Sequence, residues 1–346
     1  MTPNDVSRLP ALWPADYEPD SSSVHSPETK SPDSQKTNDW GYVVTSDDPA
    51  VTFRHSGWAG TRKLIRQAMA DDWTSPRRLS RFDLCGSEPW LAVNPDNPDE
   101  FAVLTNHCRS RWCVPCSRER AARIMGNLRC KLNEGSVRFL TLTLKHSDTP
   151  LSNQIDRIYA CFRHLRRAPF WQAKVQGGAA VLELTHGWKD DLWHVHLHCL
   201  LQGGYVRHAD LKAEWHRITG DSYIVDIRPV GSPEHAARYV TKYITKPVPN
   251  TVIRKPEPLR EMLSACSHRR LVLTWGTWRG LKLSAPLSTV AWRTVCPLED
   301  LYNRRDAGDL DAFNTILRLE RLIPEARTLA GRGPPLTPFD ALPTEA

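Results

Sequence analysis

The segment that most constrains the fold of this chain is residues 193–200, with the sequence Trp-His-Val-His-Leu-His-Cys-Leu. Successive side chains of an extended strand point to opposite faces, so His194, His196 and His198 share one face. Residues two positions apart are separated by ~6.5–7 Å along a strand, which allows two imidazoles to reach one metal ion. Three buried core histidines are the alternative, but each ring would then need a hydrogen-bond partner, because an unsatisfied buried polar group costs about 1–3 kcal/mol. The segment therefore predicts a metal-binding strand.

Residues 237–246 predict a helix that carries two tyrosines and two lysines. Helical residues four positions apart lie about 6 Å apart on one face, so Tyr239 and Tyr243 present their hydroxyls to the same place. Lys242 flanks the pair and Lys246 lies one further turn along. A tyrosine pair alone is more typical of core packing or of an amphipathic surface. Two lysines beside the phenols, downstream of a metal-binding strand, favour an anionic phosphate as the third partner.

Residues 139–144, with the sequence Phe-Leu-Thr-Leu-Thr-Leu, predict a strand upstream of both segments. In order and spacing, this strand, the His-x-His strand and the Tyr-x-x-Lys-Tyr helix resemble the three motifs of rolling-circle replication initiators, which belong to the HUH endonucleases. The resemblance covers roughly residues 135–250. It implies an α+β HUH fold in which helices pack behind a central antiparallel sheet as a second layer. The β-α-β-β-α-β-α order of predicted elements is compatible with that architecture.

The resemblance also implies a metal-dependent endonuclease. Mg²⁺ or Mn²⁺ held by His196 and His198, with Glu183 or His194 as the third ligand, would polarise a scissile phosphate of single-stranded DNA. A tyrosine would then attack, leaving a 5′-phosphotyrosine link and a free 3′-hydroxyl. One phosphodiester is exchanged for another of similar energy, so rejoining the strand needs no nucleotide cofactor.

Tyr243 aligns with the nucleophile of single-tyrosine plasmid initiators, in which a glutamate usually stands four residues earlier. Tyr239 occupies that position here, a departure that resembles the gene A type proteins of small single-stranded DNA phages. Their two tyrosines alternate as nucleophiles, so we expect repeated nicking and joining. A tyrosine hydroxyl has a pKa near ~10, so the metal and the charge of Lys242 or Lys246 must assist it at neutral pH.

Four of the nine cysteines are spaced as a structural zinc site. Cys113 and Cys116 have zinc-knuckle spacing, and Cys108 supplies a third thiolate. Cys85 is the expected fourth ligand, and His107 is the alternative to it. Loop-rich sequence of this kind is hard to fold without a metal, which favours Zn²⁺ over scattered core cysteines. Initiators with these motifs are similar in carrying a Cys-Gly and a Cys-x-x-Cys segment upstream of the first motif.

The charge distribution predicts a polyanionic partner. The chain has a net charge of +7, although its first fifty residues carry nine acidic and only three basic side chains. The basic remainder suits single-stranded or supercoiled origin DNA.

Because no Gly-x-x-x-x-Gly-Lys-Ser/Thr loop is present, we expect a host helicase to open the duplex and a host DNA polymerase to extend the 3′-end. No apolar run of membrane-spanning length and no signal-peptide core is present, so we expect a cytoplasmic protein without a membrane partner.

The sequence suggests four segments: an acidic disordered tail over 1–45, a cysteine-rich segment with a basic helix over 46–134, a nicking-joining domain over 135–290, and a C-terminal helix with a Pro-rich end over 291–346. Residues 281–287 predict an additional strand, and the prolines of residues 89–98 predict a turn-rich stretch.

Two other functions remain open. A rolling-circle (HUH-type) transposase resembles the chain nearly as well, whereas a non-catalytic zinc-containing DNA-binding protein would leave the histidine strand unexplained.

Overall fold

The structure is a computed structural model that describes residues 54–55, 58–70, 75–133, 135–232, 236, 248–285 and 290–322. The predicted acidic tail and the Pro-rich end lie outside these residues. The chain divides into two compact units, each of which is described by itself. The larger unit comprises Gly60–Ser75 and Arg109–Thr289, and the smaller unit contains the remaining described residues.

Strands and helices alternate along the chain. The strands are β1 (Trp90–Asn94), β2 (Asn97–Leu104), β3 (Val137–Thr143), β4 (Val175–His186), β5 (Trp193–Gly203), β6 (Val225–Pro229), β7 (Val272–Gly276) and β8 (Arg293–Pro297). The helices are α1 (Ala59–Ala70), α2 (Pro76–Asp83), α3 (Val114–Leu132), α4 (Leu151–Leu165), α5 (Pro169–Lys174), α6 (His208–Thr219), α7 (Pro256–Ala265), α8 (Leu298–Asp306) and α9 (Leu310–Leu322). None of the helices in the described part of the chain combines the length and the apolar character that a membrane crossing requires.

The larger unit is built on a five-stranded antiparallel sheet in the order β6-β3-β5-β4-β7. The histidine strand, β5, lies at its centre, between β3 and β4. Its non-histidine face is fully apolar, with Val195 and Leu197 buried, which explains why the segment forms a central strand. The predicted α+β class with a central antiparallel sheet is therefore confirmed.

The register of the sheet decides which side chains meet on the histidine face. Thr143 of β3 and Glu183 of β4 lie on either side of His196. Thr141 lies opposite His198 in the same way. Because directly paired residues of neighbouring strands project to the same face, these five side chains form one continuous patch.

Helices pack on both faces of the sheet. On the face opposite the histidines, α4 is buried along one side, and its Phe162 contacts Trp275 edge-to-face with 5.1 Å between ring centroids. On the histidine face, α3 packs Ile124 and Leu128 against Phe139 in an apolar cluster. Burying each side chain of this size contributes about 1.5–3 kcal/mol. The predicted arrangement of helices as one layer behind the sheet is therefore incomplete, because α3 covers one end of the other face.

The smaller unit contains a three-stranded antiparallel sheet in the order β2-β1-β8. β1 and β2 form a hairpin, and β8 pairs with β1 from a distant part of the sequence. The core of this unit includes Leu91 of β1, Phe101 of β2, Leu301 of α8 and Ile316 of α9.

Two stretches differ from the sequence-based prediction. The strand predicted over 281–287 is wrong for residues 281–285, which contain no strand. The Asn127 side-chain amide of α3 donates to the carbonyl oxygens of Leu283 and Ala285 at 3.2 and 3.0 Å, so helix α3 rather than a strand partner satisfies them. The turn-rich stretch contains the β1–β2 hairpin, with Pro95 in its turn and Pro98 in the edge strand β2. Edge strands tolerate proline, since one of their sides needs no ladder hydrogen bonds.

Candidate functional site

Two histidines of β5 are held by threonine hydroxyls of β3. His196 Nδ1 lies 3.1 Å from Thr143 Oγ1, and His198 Nδ1 lies 3.1 Å from Thr141 Oγ1. The two rings are stacked, with 6.2 Å between their centroids. A threonine on Nδ1 fixes the orientation of each ring and leaves Nε2 on the opposite side. Metal-ligating histidines in proteins use one ring nitrogen for the metal and the other for such a partner.

Glu183 supplies a carboxylate beside the same two rings. Its Oε2 atom lies 2.7 Å from Nε2 of His198, and its backbone pairs with His196. Burial lowers the pKa of His196 against the opposing influence of the Glu183 charge, so the ring is held in the neutral form that binds metals. Among the described residues, three groups of possible ligands have all their ligand atoms within 4.8 Å, and the trio of His196, His198 and Glu183 is not one of them.

His194 contacts a separate pair of side chains. Its Nε2 atom lies 3.3 Å from Asp190 Oδ2, and its Nδ1 atom lies 3.2 Å from Nδ1 of His146. Of the two residues that the sequence offers as third ligand, the structure therefore places Glu183 beside His198 and His194 beside Asp190.

The tyrosine helix falls almost entirely outside the described residues. Tyr239, Lys242, Tyr243 and Lys246 are all among the residues not described. Ala236 is described: it is fully buried in the apolar cluster on the histidine face, and its N–H donates to the Ser232 carbonyl oxygen at 3.0 Å.

The four predicted zinc ligands are divided between the two units: Cys85 and Cys108 belong to the smaller unit, and Cys113 and Cys116 belong to the larger unit. Cys113 immediately precedes α3 and Cys116 lies in its first turn, so the helix start fixes two of the four thiols. His107, the alternative ligand, also belongs to the smaller unit.

A cavity of about 350 Å³ adjoins Glu183 in the larger unit. It lies where β4 extends beyond its pairing with β7, and its lining includes Arg111, Arg120 and residues 248–251. Burial, aided by the neighbouring Arg123, lowers the pKa of Arg120. Burial disfavours the charged form of an arginine, and an anionic ligand would stabilise that form. The cavity therefore suits a negatively charged group.

An antiparallel sheet that presents paired histidines and a carboxylate on one face defines an α+β protein with a candidate metal-binding site. The comparisons with known proteins narrow this class. A family model described as "Replication protein" (Rep_1) matches residues 101–287, more than half of the chain and the whole five-stranded sheet. The chain belongs to this family of replication proteins. The resemblance to replication initiators is thereby confirmed.

Two curated relatives are each named "Protein rep". The one from Bacillus amyloliquefaciens is 24% identical over 210 residues, which cover 53% of this chain and 62% of the relative. The one from a Bacillus species is 27% identical over 170 residues, covering 44% and 55%. The chain thus spans less than two thirds of the length of either relative. No solved structure matches the chain.

Proposed function

We propose that the chain is a rolling-circle replication initiator that nicks single-stranded origin DNA and rejoins it. The observation that carries the proposal is the threonine-held pair of imidazoles, His196 and His198, beside Glu183 on the sheet of a replication protein. Imidazole and carboxylate donors of this kind on one face of a sheet are typical of a metal-assisted phosphoryl-transfer site. The family match favours an initiator over a rolling-circle transposase, and the ordered histidine patch favours an enzyme over a DNA-binding protein.

The donor set fits a divalent ion. His196, His198 and Glu183 would hold Mg²⁺ or Mn²⁺, which would polarise the scissile phosphate as a Lewis acid. Thr143 and Thr141 keep the two rings oriented, and burial keeps His196 neutral. Cys85, Cys108, Cys113 and Cys116 would hold a structural Zn²⁺, because their spacing in the sequence is typical of zinc sites and four thiolates are a donor set that zinc prefers.

The proposed nucleophile is Tyr243, with Tyr239 as the second. The Tyr243 oxygen forms a bond to phosphorus and loses its proton, while the bond from phosphorus to the 3′-oxygen breaks and that oxygen gains a proton. Lys242 and Lys246 would bind the neighbouring phosphates. Burial of Ala236 on the histidine face supports this scheme, since it lies only three residues before Tyr239. Host helicase and polymerase remain proposed partners.

Covalent capture on single-stranded origin oligonucleotides tests the proposal. With Mn²⁺ present, we expect mass spectrometry to find a DNA adduct on Tyr243, and Tyr243→Phe to lower its yield at least about 100-fold because a nucleophile is lost. Tyr239→Phe should allow the first cleavage but impair release of the rejoined circle. Tyr205→Phe, at an exposed tyrosine of the larger unit, is the matched control. Absence of an adduct on both Tyr239 and Tyr243 would contradict the proposal.

A further inference from the structure

A second group of metal-ligating side chains lies at the start of β5. His146 follows β3, Asp190 lies in the loop between β4 and β5, and His194 is the second residue of β5. One ligand atom from each residue lies within 4.8 Å of the other two. The isolated bridge between Ser147 and Trp193 holds the end of β3 against the start of β5. Three separate stretches of chain therefore converge on one point.

We infer that His146, Asp190 and His194 form a second metal site, which binds a divalent first-row transition ion. Asp190 Oδ2 lies 3.3 Å from His194 Nε2 and 3.6 Å from His146 Nδ1. Charge-assisted hydrogen bonds are shorter, about 2.7–2.9 Å. Ligands bound at ~2.0–2.1 Å around a tetrahedral ion are separated by about 3.3 Å. The spacing therefore suits an ion shared by the three side chains.

The orientation of the two rings supports the same conclusion. The imidazoles of His146 and His194 stand edge to face, with 84° between their planes and 4.5 Å between their centroids. Their Nδ1 atoms approach to 3.2 Å. Two imidazole nitrogens at this separation share a proton or a metal ion, because their lone pairs otherwise repel each other. One ring offers a single ion only one nitrogen, so His194 would bind the ion through either Nδ1 or Nε2, and the other nitrogen would keep its present neighbour as a hydrogen-bond partner.

Gly187 makes room for this group. A Cβ atom at Gly187 would lie 1.7 Å from Asp190 Oδ1 and 3.1 Å from His194 Nε2. The backbone of the loop therefore packs directly against the carboxylate and the ring, and any larger residue would displace them. The loop is closed by a hydrogen bond from the Gly187 N–H to the Leu192 carbonyl oxygen at 2.9 Å.

The side chains around the second site, rather than its donor types, separate it from the proposed catalytic one. Both sites offer two imidazoles and one carboxylate, a set that suits first-row transition ions such as Zn²⁺, Co²⁺ or Fe²⁺. The contacts of the two groups involve different side chains. His194 contacts Asp190 and His146, whereas His196 and His198 contact Thr143, Thr141 and Glu183. The second ion would therefore bind independently of the proposed catalytic metal.

Cobalt binding to the full-length chain tests the inference. After equilibrium dialysis against CoCl₂, we expect His146→Ala to retain one Co²⁺ fewer than the unchanged chain. The visible bands of that ion should disappear, while the near-ultraviolet bands of thiolate-bound cobalt remain unchanged. His164→Ala, at an exposed histidine of α4, is the matched control and should retain all the cobalt.

The same comparison in a His196→Ala/His198→Ala background separates the two sites, and the cobalt that depends on His146 should persist there. Because the His146 side chain is 46% exposed, its removal should leave the circular dichroism spectrum unchanged. Equal cobalt content with and without His146 would overturn the inference. Loss of the His146-dependent ion in the double-alanine background would also overturn it, since the group would then belong to the catalytic site.

Discussion

Two threonines explain why the first of the three motifs is a strand of alternating leucines and threonines. The leucines of β3, Leu140 and Leu142, are fully buried on one face, while Thr141 and Thr143 reach the histidines on the other. The hydroxyls can donate to or accept from an imidazole nitrogen, whereas an apolar side chain could do neither. The motif therefore combines a core-forming face with a face that orients two rings.

Replacing Thr143 by valine keeps the shape and the strand propensity of the side chain but removes its hydroxyl. We expect the Thr143→Val chain to bind Mn²⁺ about 10–100-fold more weakly, because the ring of His196 loses the partner that orients it. Thr143→Ser should restore the affinity. The measurement is a Mn²⁺ titration followed by electron paramagnetic resonance, with Thr274→Val on β7 as control. Unchanged Mn²⁺ affinity in Thr143→Val would show that the hydroxyl does not position the ring.

The sequence predicts which histidines share a face but not which residues they meet. Alternation along β5 places His194, His196 and His198 together, and this pattern is visible without a structure. The partners of His194 are His146 and Asp190. His146 is distant in sequence, and Asp190 lies in a loop with no regular pattern. Only the strand register and the conformation of that loop bring them together.

At the level of elements, long periodic segments could be predicted and short paired ones could not. The apolar positions of α4 recur with helical spacing, so a helix is expected there from the sequence. Strand β8 has five residues and pairs with β1, which lies on the other side of the whole larger unit in sequence. Such non-local pairing leaves no local signal.

One ion pair attaches α4 to the segment that precedes β7. The two terminal nitrogens of the Arg269 guanidinium, Nη1 and Nη2, donate to the two carboxylate oxygens of Asp156, and this bidentate hydrogen bonding lowers the pKa of Asp156. A carboxyl group whose pKa is lower in the folded than in the unfolded state stabilises the fold. The stabilisation is complete at a pH above the unfolded pKa of 3.8, and it is lost as the pH falls through the folded pKa.

We therefore expect Asp156→Asn to destabilise the fold at pH 7 by about 0.2–1 kcal/mol, the range for exposed pairs. The difference from the unchanged chain should disappear as the pH falls below the lowered pKa. Urea denaturation at a series of pH values gives the measurement. Asp148→Asn, in the exposed turn before the same helix, is the control. A difference that stayed constant down to pH 2 would mean that the Asn substitution acts through packing rather than charge.

For the whole molecule, charge is divided unevenly along the sequence. The first fifty residues carry nine acidic and three basic side chains, although the complete chain has a net charge of +7. A polyanion is attracted by the basic part and repelled by the acidic part, and both effects weaken as salt screens them. The acidic stretch should therefore lower the affinity for DNA most strongly at low ionic strength.

Deleting residues 1–50 should raise the affinity for a single-stranded oligonucleotide by about threefold to tenfold at ~50 mM salt, and the gain should vanish near ~1 M salt, where the screening length falls to about 3 Å. Fluorescence anisotropy over a range of salt concentrations gives the comparison. A full-length variant with its nine acidic residues changed to Asn or Gln removes the charge without removing the chain. If the deletion strengthens binding but this neutralised variant does not, the first fifty residues obstruct DNA by volume, and the electrostatic explanation is wrong.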